Sequence, residues 1–143
     1  MRGRIGTTRL LGGRLIAVSA AGGLLAGAMA GGPALAATSP AVTCTYTIQN
    51  VWFGGFTADI SIANNAPATI NGWTVRWTFN EYTTDISVWQ SNLSAPDGLH
   101  ATATNASYNG TIRSGYATSF GWSARSATTS VPTDLTVNGV ACQ

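Results

Sequence analysis

The side chains that could do bond-making chemistry are few and ill-placed for it. Beyond residue 37 the acids are Asp59, Glu81, Asp85, Asp97 and Asp134, and the single histidine is His100. Hydrolysis of a glycosidic bond needs two carboxyls facing each other across a cleft. These five are scattered over strands and turns with no pairing signal, so they read as surface solvation. A copper oxygenase would need histidine at the mature N-terminus, whereas the residues around the expected cleavage point are Ala37 and Thr38. By parity with Leu99 and Ala101, His100 is a solvent-facing strand residue. No catalytic residue, metal site or cofactor is therefore expected, and the chemistry left is that of contact. The chain is well supplied for it, because all five Trp, four Tyr and four Phe lie beyond residue 45.

The first 37 residues differ from the rest. Arg2, Arg4, Arg9 and Arg14 form a basic head, Leu15–Ala30 an apolar Ala/Gly-rich run, and Pro33–Ala37 a small-residue close. That order predicts a secretory signal over residues 1–37. No Arg-Arg pair stands in it, which favours general secretion over the twin-arginine route. A membrane anchor is the competing reading, but the run is short, glycine-rich and followed by a cleavage pattern. A short segment, 38–41, then leads to one domain at 42–143. The full chain carries a formal charge of +2, yet the mature part keeps only Arg76, Arg113 and Arg125 against its five acids and has no lysine. Such a balance disfavours nucleic acid and anionic membrane as partners and suits a neutral one. Cys44 and Cys142 stand near the two ends of the domain. In a secreted chain an even pair reads first as a disulfide. Closing a loop on the order of 100 residues contributes about 4–5 kcal/mol in the chain-entropy model.

The elements that must position the aromatics are strands. The clearest is Asn71–Phe79, where Trp73, Val75, Trp77 and Phe79 share one parity and Thr74, Arg76 and Thr78 take the other. Period two with aromatic and β-branched residues predicts a half-buried strand. Alternation also marks Val42–Ile48, Phe56–Ile62, a short edge at Ala68–Ile70, Ile86–Val88, Leu99–Ala103, Thr118–Trp122 and Leu135–Val137. Turn chemistry separates them, and no helical period survives more than a turn. The expected fold class is all-β: an antiparallel β-sandwich of jelly-roll or Ig-like type, with about seven to nine strands and one end-to-end disulfide.

Parity also isolates the aromatics that do not belong to the core. If Ile86 and Val88 face inward, Trp89 faces out, and an exposed tryptophan on a strand marks contact with something. Trp52 lies in a glycine-broken connection and Tyr108 in the Asn105–Gly110 connection, where parity is silent. Each could be a plug over the core edge or a contact residue.

At these residues the chain resembles the family 2 carbohydrate-binding modules, the bacterial cellulose-binding domains attached to secreted cellulases and xylanases. The likeness runs from Val42 to Cys142. It rests on the end cysteines, Asn50-x-Trp52-x-Gly54-Gly55-Phe56, Pro67-x-x-Ile70-Asn71-Gly72-Trp73, Trp77-Thr78-Phe79, Trp89, Asn105-Ala106-x-Tyr108-Asn109-Gly110, Phe120-Gly121 and Leu135-x-Val137-Asn138-Gly139. The resemblance implies three exposed aromatics on a flat face, falling on Trp52, Trp89 and Tyr108, with Asn50 as a polar rim residue. Tyr108 stands where the family often has Trp. Gly55 stands where the xylan-binding branch has an arginine that rotates the first ring, so the cellulose branch is favoured. Asp59 stands where an amide is common. The implied partner is an insoluble polysaccharide, cellulose with chitin or xylan as alternatives, bound by a secreted monomer without catalysis. The remaining alternatives are a protein-contact or cell-surface sandwich and the binding module of a longer glycoside hydrolase. Asn92, Asn105 and Asn109 head N-glycosylation sequons, which in a glycosylating host would place glycans beside Tyr108.

Overall fold

The computed structural model describes residues 39–142, so the expected secretory signal lies outside the described residues. Strand alternation builds eleven strands: β1 (Val42–Trp52), β2 (Gly55–Asn64), β3 (Ile70–Asn71), β4 (Thr74–Thr78), β5 (Thr84–Trp89), β6 (Ser91–Ser94), β7 (His100–Asn105), β8 (Thr111–Ile112), β9 (Ala117–Arg125), β10 (Thr136–Val137) and β11 (Val140–Ala141). One sheet has the order β1-β2-β9-β5, the other β11-β10-β4-β7-β6, and β3 pairs with β8. All the pairings are antiparallel, as expected of a sandwich. The count exceeds seven to nine because β3, β8, β10 and β11 are two-residue pieces and the short polar β6 carries no apolar alternation.

The Asn71–Phe79 stretch is the centre of the core, although it is not one continuous strand. Gly72, at φ +85°, separates β3 from β4 and lets the chain leave one pairing for another. Trp73, Val75, Trp77 and Phe79 are all buried, as their parity predicts. Trp73 stacks on Phe120 at 5.1 Å and Trp77 on Trp122 at 5.0 Å, so the β4 stripe meets the β9 stripe of the opposite sheet ring to ring. Offset contacts of this kind add about 0.5–1.5 kcal/mol each beyond the area they bury. Polar groups in this interior are not all matched: the indole N–H groups of Trp77 and Trp122 are buried without a hydrogen-bond partner, whereas Asn64 is satisfied. Fully buried Asn64 donates to the carbonyls of Ala68 and Ile112 (2.8 Å each) and accepts from Ala66 N–H (3.0 Å).

The expected disulfide is present. Cys44 of β1 bonds Cys142 just beyond β11, with Cα atoms 5.2 Å apart, and so ties the first strand of one sheet to the last of the other. The two sheets are also joined without any loop at Gln90, the single residue between β5 and β6. Its φ of +62° is the left-handed turn that redirects the chain from one sheet to the other.

Candidate flat binding face

The outer surface of the β1-β2-β9-β5 sheet follows from register. Phe56, Ala58, Ile60 and Ile62 of β2 point into the core, which leaves Gly55, Thr57, Asp59 and Ser61 on the other side. Their partners on that side are Thr45, Thr47, Asn50 and Trp52 of β1, and Ser119, Gly121 and Ser123 of β9. Trp89 and Ser87 of β5 complete the row through Gly121 and Ser123. Apart from two indoles, and Arg125 where β9 ends, this surface carries short hydroxyl, amide and carboxyl side chains or none.

Trp52 reaches this side through a bulge. By simple alternation from Ile48 it would point inward, but the register shifts between Ile48 and Asn50, and Gln49 is the extra residue. Trp52 is thus the last residue of β1 rather than part of the following connection. Asn50 and Trp52 come to lie opposite Thr57 and Gly55, on the outer side. Gln49 turns back onto the same surface and donates a hydrogen bond to Asp59. Trp89 needs no such device after Ile86. The irregularity in β5 precedes Ser87, and from there Val88 and Trp89 alternate as parity predicts.

Both indoles lie down on glycine. Trp52 is paired directly with Gly55, and a Cβ added there would come within 2.6 Å of Trp52 Nε1. Trp89 is paired directly with Gly121, where an added Cβ would meet Trp89 Cζ2 at 2.5 Å. Each glycine is buried although it faces outward, because a ring covers it. The tryptophans stay 45% and 43% exposed, so one ring face rests on the backbone while the other is open. Asp59, four positions beyond Gly55 on β2, is paired with Gly121. Strand geometry therefore sets the two ring platforms about 14 Å apart.

Tyr108 is 73% exposed at the tip of the β7–β8 turn and plugs nothing. The turn is held from both sides. Trp73 Nε1 donates to the Asn109 carbonyl (2.9 Å), and the Asn109 side-chain amide donates to the Gln90 carbonyl (2.7 Å). The second bond fastens the Tyr108 turn to the corner that immediately follows Trp89. Asn105 braces it from within, accepting from Trp73 N–H (3.1 Å) and donating to the Ala106 carbonyl (3.0 Å). Two of the three sequon amides are thus occupied in holding this turn. The structure also shows an aromatic that the sequence pattern does not mark: Phe53, fully exposed in the β1–β2 hairpin beside Trp52. Turn position hides it from parity.

Among the described residues, four of the five acids, all but Glu81, have side-chain partners. Asp97 accepts from the backbone N–H of Leu99 (2.9 Å) and His100 (2.7 Å) and from the His100 ring (2.5 Å). That ring contact comes first in holding the Asp97 carboxyl well below the usual carboxylate range, and it raises the His100 imidazole above its ordinary value. Partial burial pushes Asp134 up, but bonds from Thr78 N–H (3.0 Å) and Thr78 Oγ1 (2.6 Å) outweigh it and leave the carboxyl lowered. Asp85 lies 3.6 Å from Arg125. His100 is exposed, as predicted.

A two-sheet sandwich that lays open indole rings on the outer side of one sheet presents a surface suited to contact. Residues 42–142 match the model of the cellulose binding domain family, and the chain belongs to that family. Among its relatives, Endoglucanase C of Cellvibrio japonicus is 42% identical over 113 residues, which cover 76% of this chain and 14% of that enzyme. Exoglucanase A of Cellulomonas fimi is 37% identical over 108 residues, covering 75% of this chain and 12% of the enzyme. The chain thus corresponds to a small part of these relatives. Among solved structures, the chitin-binding domain of a Streptomyces coelicolor protein superposes with a TM-score of 0.58 at 29% identity, covering 71% of this chain and 94% of that one. A cellulose-binding family 2 carbohydrate-binding domain superposes at 0.52 and 26% identity, covering 66% of this chain and 93% of that domain.

Proposed function

We propose that this protein binds the surface of crystalline cellulose, without catalysis, through the outer side of its β1-β2-β9-β5 sheet. Trp52, Trp89 and Tyr108 supply the stacking surfaces and Asn50 the polar rim. The observation that carries the reading is the pair of indoles laid flat on Gly55 and Gly121 across a surface of short side chains. A β-linked glucan chain in a crystal offers a row of ring faces with C–H groups outward. Electron-rich aromatic faces attract those slightly positive groups while covering apolar area. Burial of three such rings contributes roughly 5–9 kcal/mol gross, at about 1.5–3 each. Association costs remove much of it. The rigid face and the dense repeat of sites on a fibre recover part of that cost, which makes a roughly micromolar dissociation constant the natural scale. Gly55 supports cellulose over xylan, since no side chain there turns the Trp52 ring off the sheet.

The basic, apolar and small-residue order of residues 1–37 supports secretion, with the binding domain starting at Val42 and acting as a monomer. Chitin is the second reading, favoured by the superposition on a chitin-binding domain and by 33% identity to Chitinase C of Streptomyces lividans. Adsorption to microcrystalline cellulose, chitin and insoluble xylan separates these readings. Retention on cellulose, weak dependence on salt, and loss in Trp52→Ala/Trp89→Ala with the fold intact are expected. Normal adsorption by the double variant would sink the assignment of the face.

A further inference from the structure

A third aromatic ring lies on a glycine, and it is not on the flat face. Tyr82, in the β4–β5 connection, is 65% exposed, yet one edge of its ring covers Gly98. A Cβ at Gly98 would come within 2.4 Å of Tyr82 Cε2 and 2.5 Å of Cδ2. Gly98 sits at φ +72° in the β6–β7 turn, so the ring spans the gap between an edge strand of one sheet and a turn of the other. The backbone on both sides is fixed. Thr83 N–H donates to the Gly98 carbonyl (2.8 Å), Gly98 N–H donates to the Ala95 carbonyl (3.0 Å), and buried Thr83 places its hydroxyl on the Glu81 carbonyl (2.9 Å).

Beside Tyr82 opens a groove of about 320 Å³, whose walls include Thr84, Asp85, Ile86, Leu93 and Ser94. That volume lies at the small end of ligand sites. The groove offers one aromatic face, a short aliphatic stretch, two hydroxyls and a carboxylate. A pyranose presents the complement, an apolar C–H face with hydroxyls around its rim. A proline-rich peptide would call for a groove lined by several aromatics, and here there is one. The one charged side chain in the lining, Asp85, is paired at 3.6 Å with Arg125, so the groove offers no unbalanced charge to draw an ionic ligand. The concave shape and the position at the sheet edge do not fit a planar crystal surface.

We propose that the Tyr82–Gly98 groove is a second carbohydrate site, taking a single β-1,4-linked pyranose chain free of the crystal lattice. Only the ligand class rests on the proposed function; the groove and its ring stand independently of the flat face. The test is amide chemical-shift mapping of the full chain titrated with soluble cello-oligosaccharides and, separately, chito-oligosaccharides, which distinguishes the two sources of such a chain. Shifts centred on Tyr82, Asp85 and Gly98 are expected with one of the two. They should persist in Trp52→Ala/Trp89→Ala, persist in Tyr82→Phe, and weaken at least about tenfold in Tyr82→Ala. Adsorption of Tyr82→Ala to microcrystalline cellulose should match the unmodified chain. Shifts confined to the flat face, or none in the groove with either sugar, would overturn the proposal. Because those shifts are measured on the unmodified chain, any folding defect of Tyr82→Ala leaves the test unaffected. Failure of the flat-face reading would instead show as normal cellulose adsorption by the double tryptophan variant.

Discussion

Gly121→Ala isolates the idea that the binding rings are flat because glycine lets them be. The new methyl would stand 2.5 Å from Trp89 Cζ2, 2.6 Å from Cε2 and 2.7 Å from Nε1, and its three nearest atoms all belong to that one side chain. Carbon atoms settle at about 3.5–4.0 Å, so the indole must lift by about an ångström or tilt. The core does not feel the change, because the methyl points outward, and alanine in a strand interior is favoured over glycine by roughly 0.5–1 kcal/mol. Binding does feel it. Truncating Trp89 to alanine removes a ring whose burial contributes about 1.5–3 kcal/mol, or about 10- to 100-fold in affinity. A tilted ring keeps some of that contact, so Gly121→Ala should weaken adsorption about tenfold while the melting temperature holds or rises. Depletion isotherms on microcrystalline cellulose, paired with thermal melts, measure both. The decisive comparison is the double variant. With Trp89 already alanine, the change at Gly121 should cost nothing further. An unchanged isotherm for Gly121→Ala, or an equal loss with and without Trp89, would refute the platform role of the glycine.

Replacing Cys44 and Cys142 with serine should lower unfolding free energy by about 4–5 kcal/mol in denaturant titrations at unchanged fold, since the bridge closes nearly the whole domain. Asn109→Ala removes the bond that fastens the Tyr108 turn to Gln90 and should cost about 1–2 kcal/mol, with hydrogen exchange rising in residues 106–110. The His100 imidazole should titrate above its ordinary 6.5 by NMR and fall back in Asp97→Asn. A raised histidine stabilises fully below its unfolded pKa and loses that support as pH rises through the folded one. A lowered carboxyl does so above its unfolded pKa, about 3.9, and loses it as pH falls. The pair's stabilisation is therefore complete between about pH 4 and 6.5, readable as a shallow fall in thermal stability on either side. Cellulose adsorption should stay flat across that range, because His100 lies on the other sheet.

The core was legible because one stripe obeyed one period: Trp73, Val75, Trp77 and Phe79 announced their burial by spacing alone. Trp89 was legible for the complementary reason, standing out of phase with Ile86 and Val88 in a strand that stays regular from Ser87 onward. Trp52 was not, because the bulge at Gln49 inverts its facing without any glycine or proline to mark it. The role of Gly55 and Gly121 as seats for the rings was hidden too, since it depends on which strand lies alongside. Tyr82 gave no signal because parity is silent in a connection and its seat, Gly98, is far from it in sequence. Long-range pairing, rather than local pattern, decides each of these cases.

The bond between Cys44 and Cys142 has a mechanical meaning. Two tethers, one attached before Cys44 and one beyond Cys142, would pull on sulfur atoms, and the strands between them would carry no load. A single tether pulling against a face anchored on a fibre is a different matter. Force entering at Cys44 would run toward Trp52 along β1, which is paired with β2 from Val42 to Trp52. Those ladder bonds would be sheared together rather than peeled one by one. The staple thus sets the direction in which the domain is strong, and a tether at either end meets the same resistance.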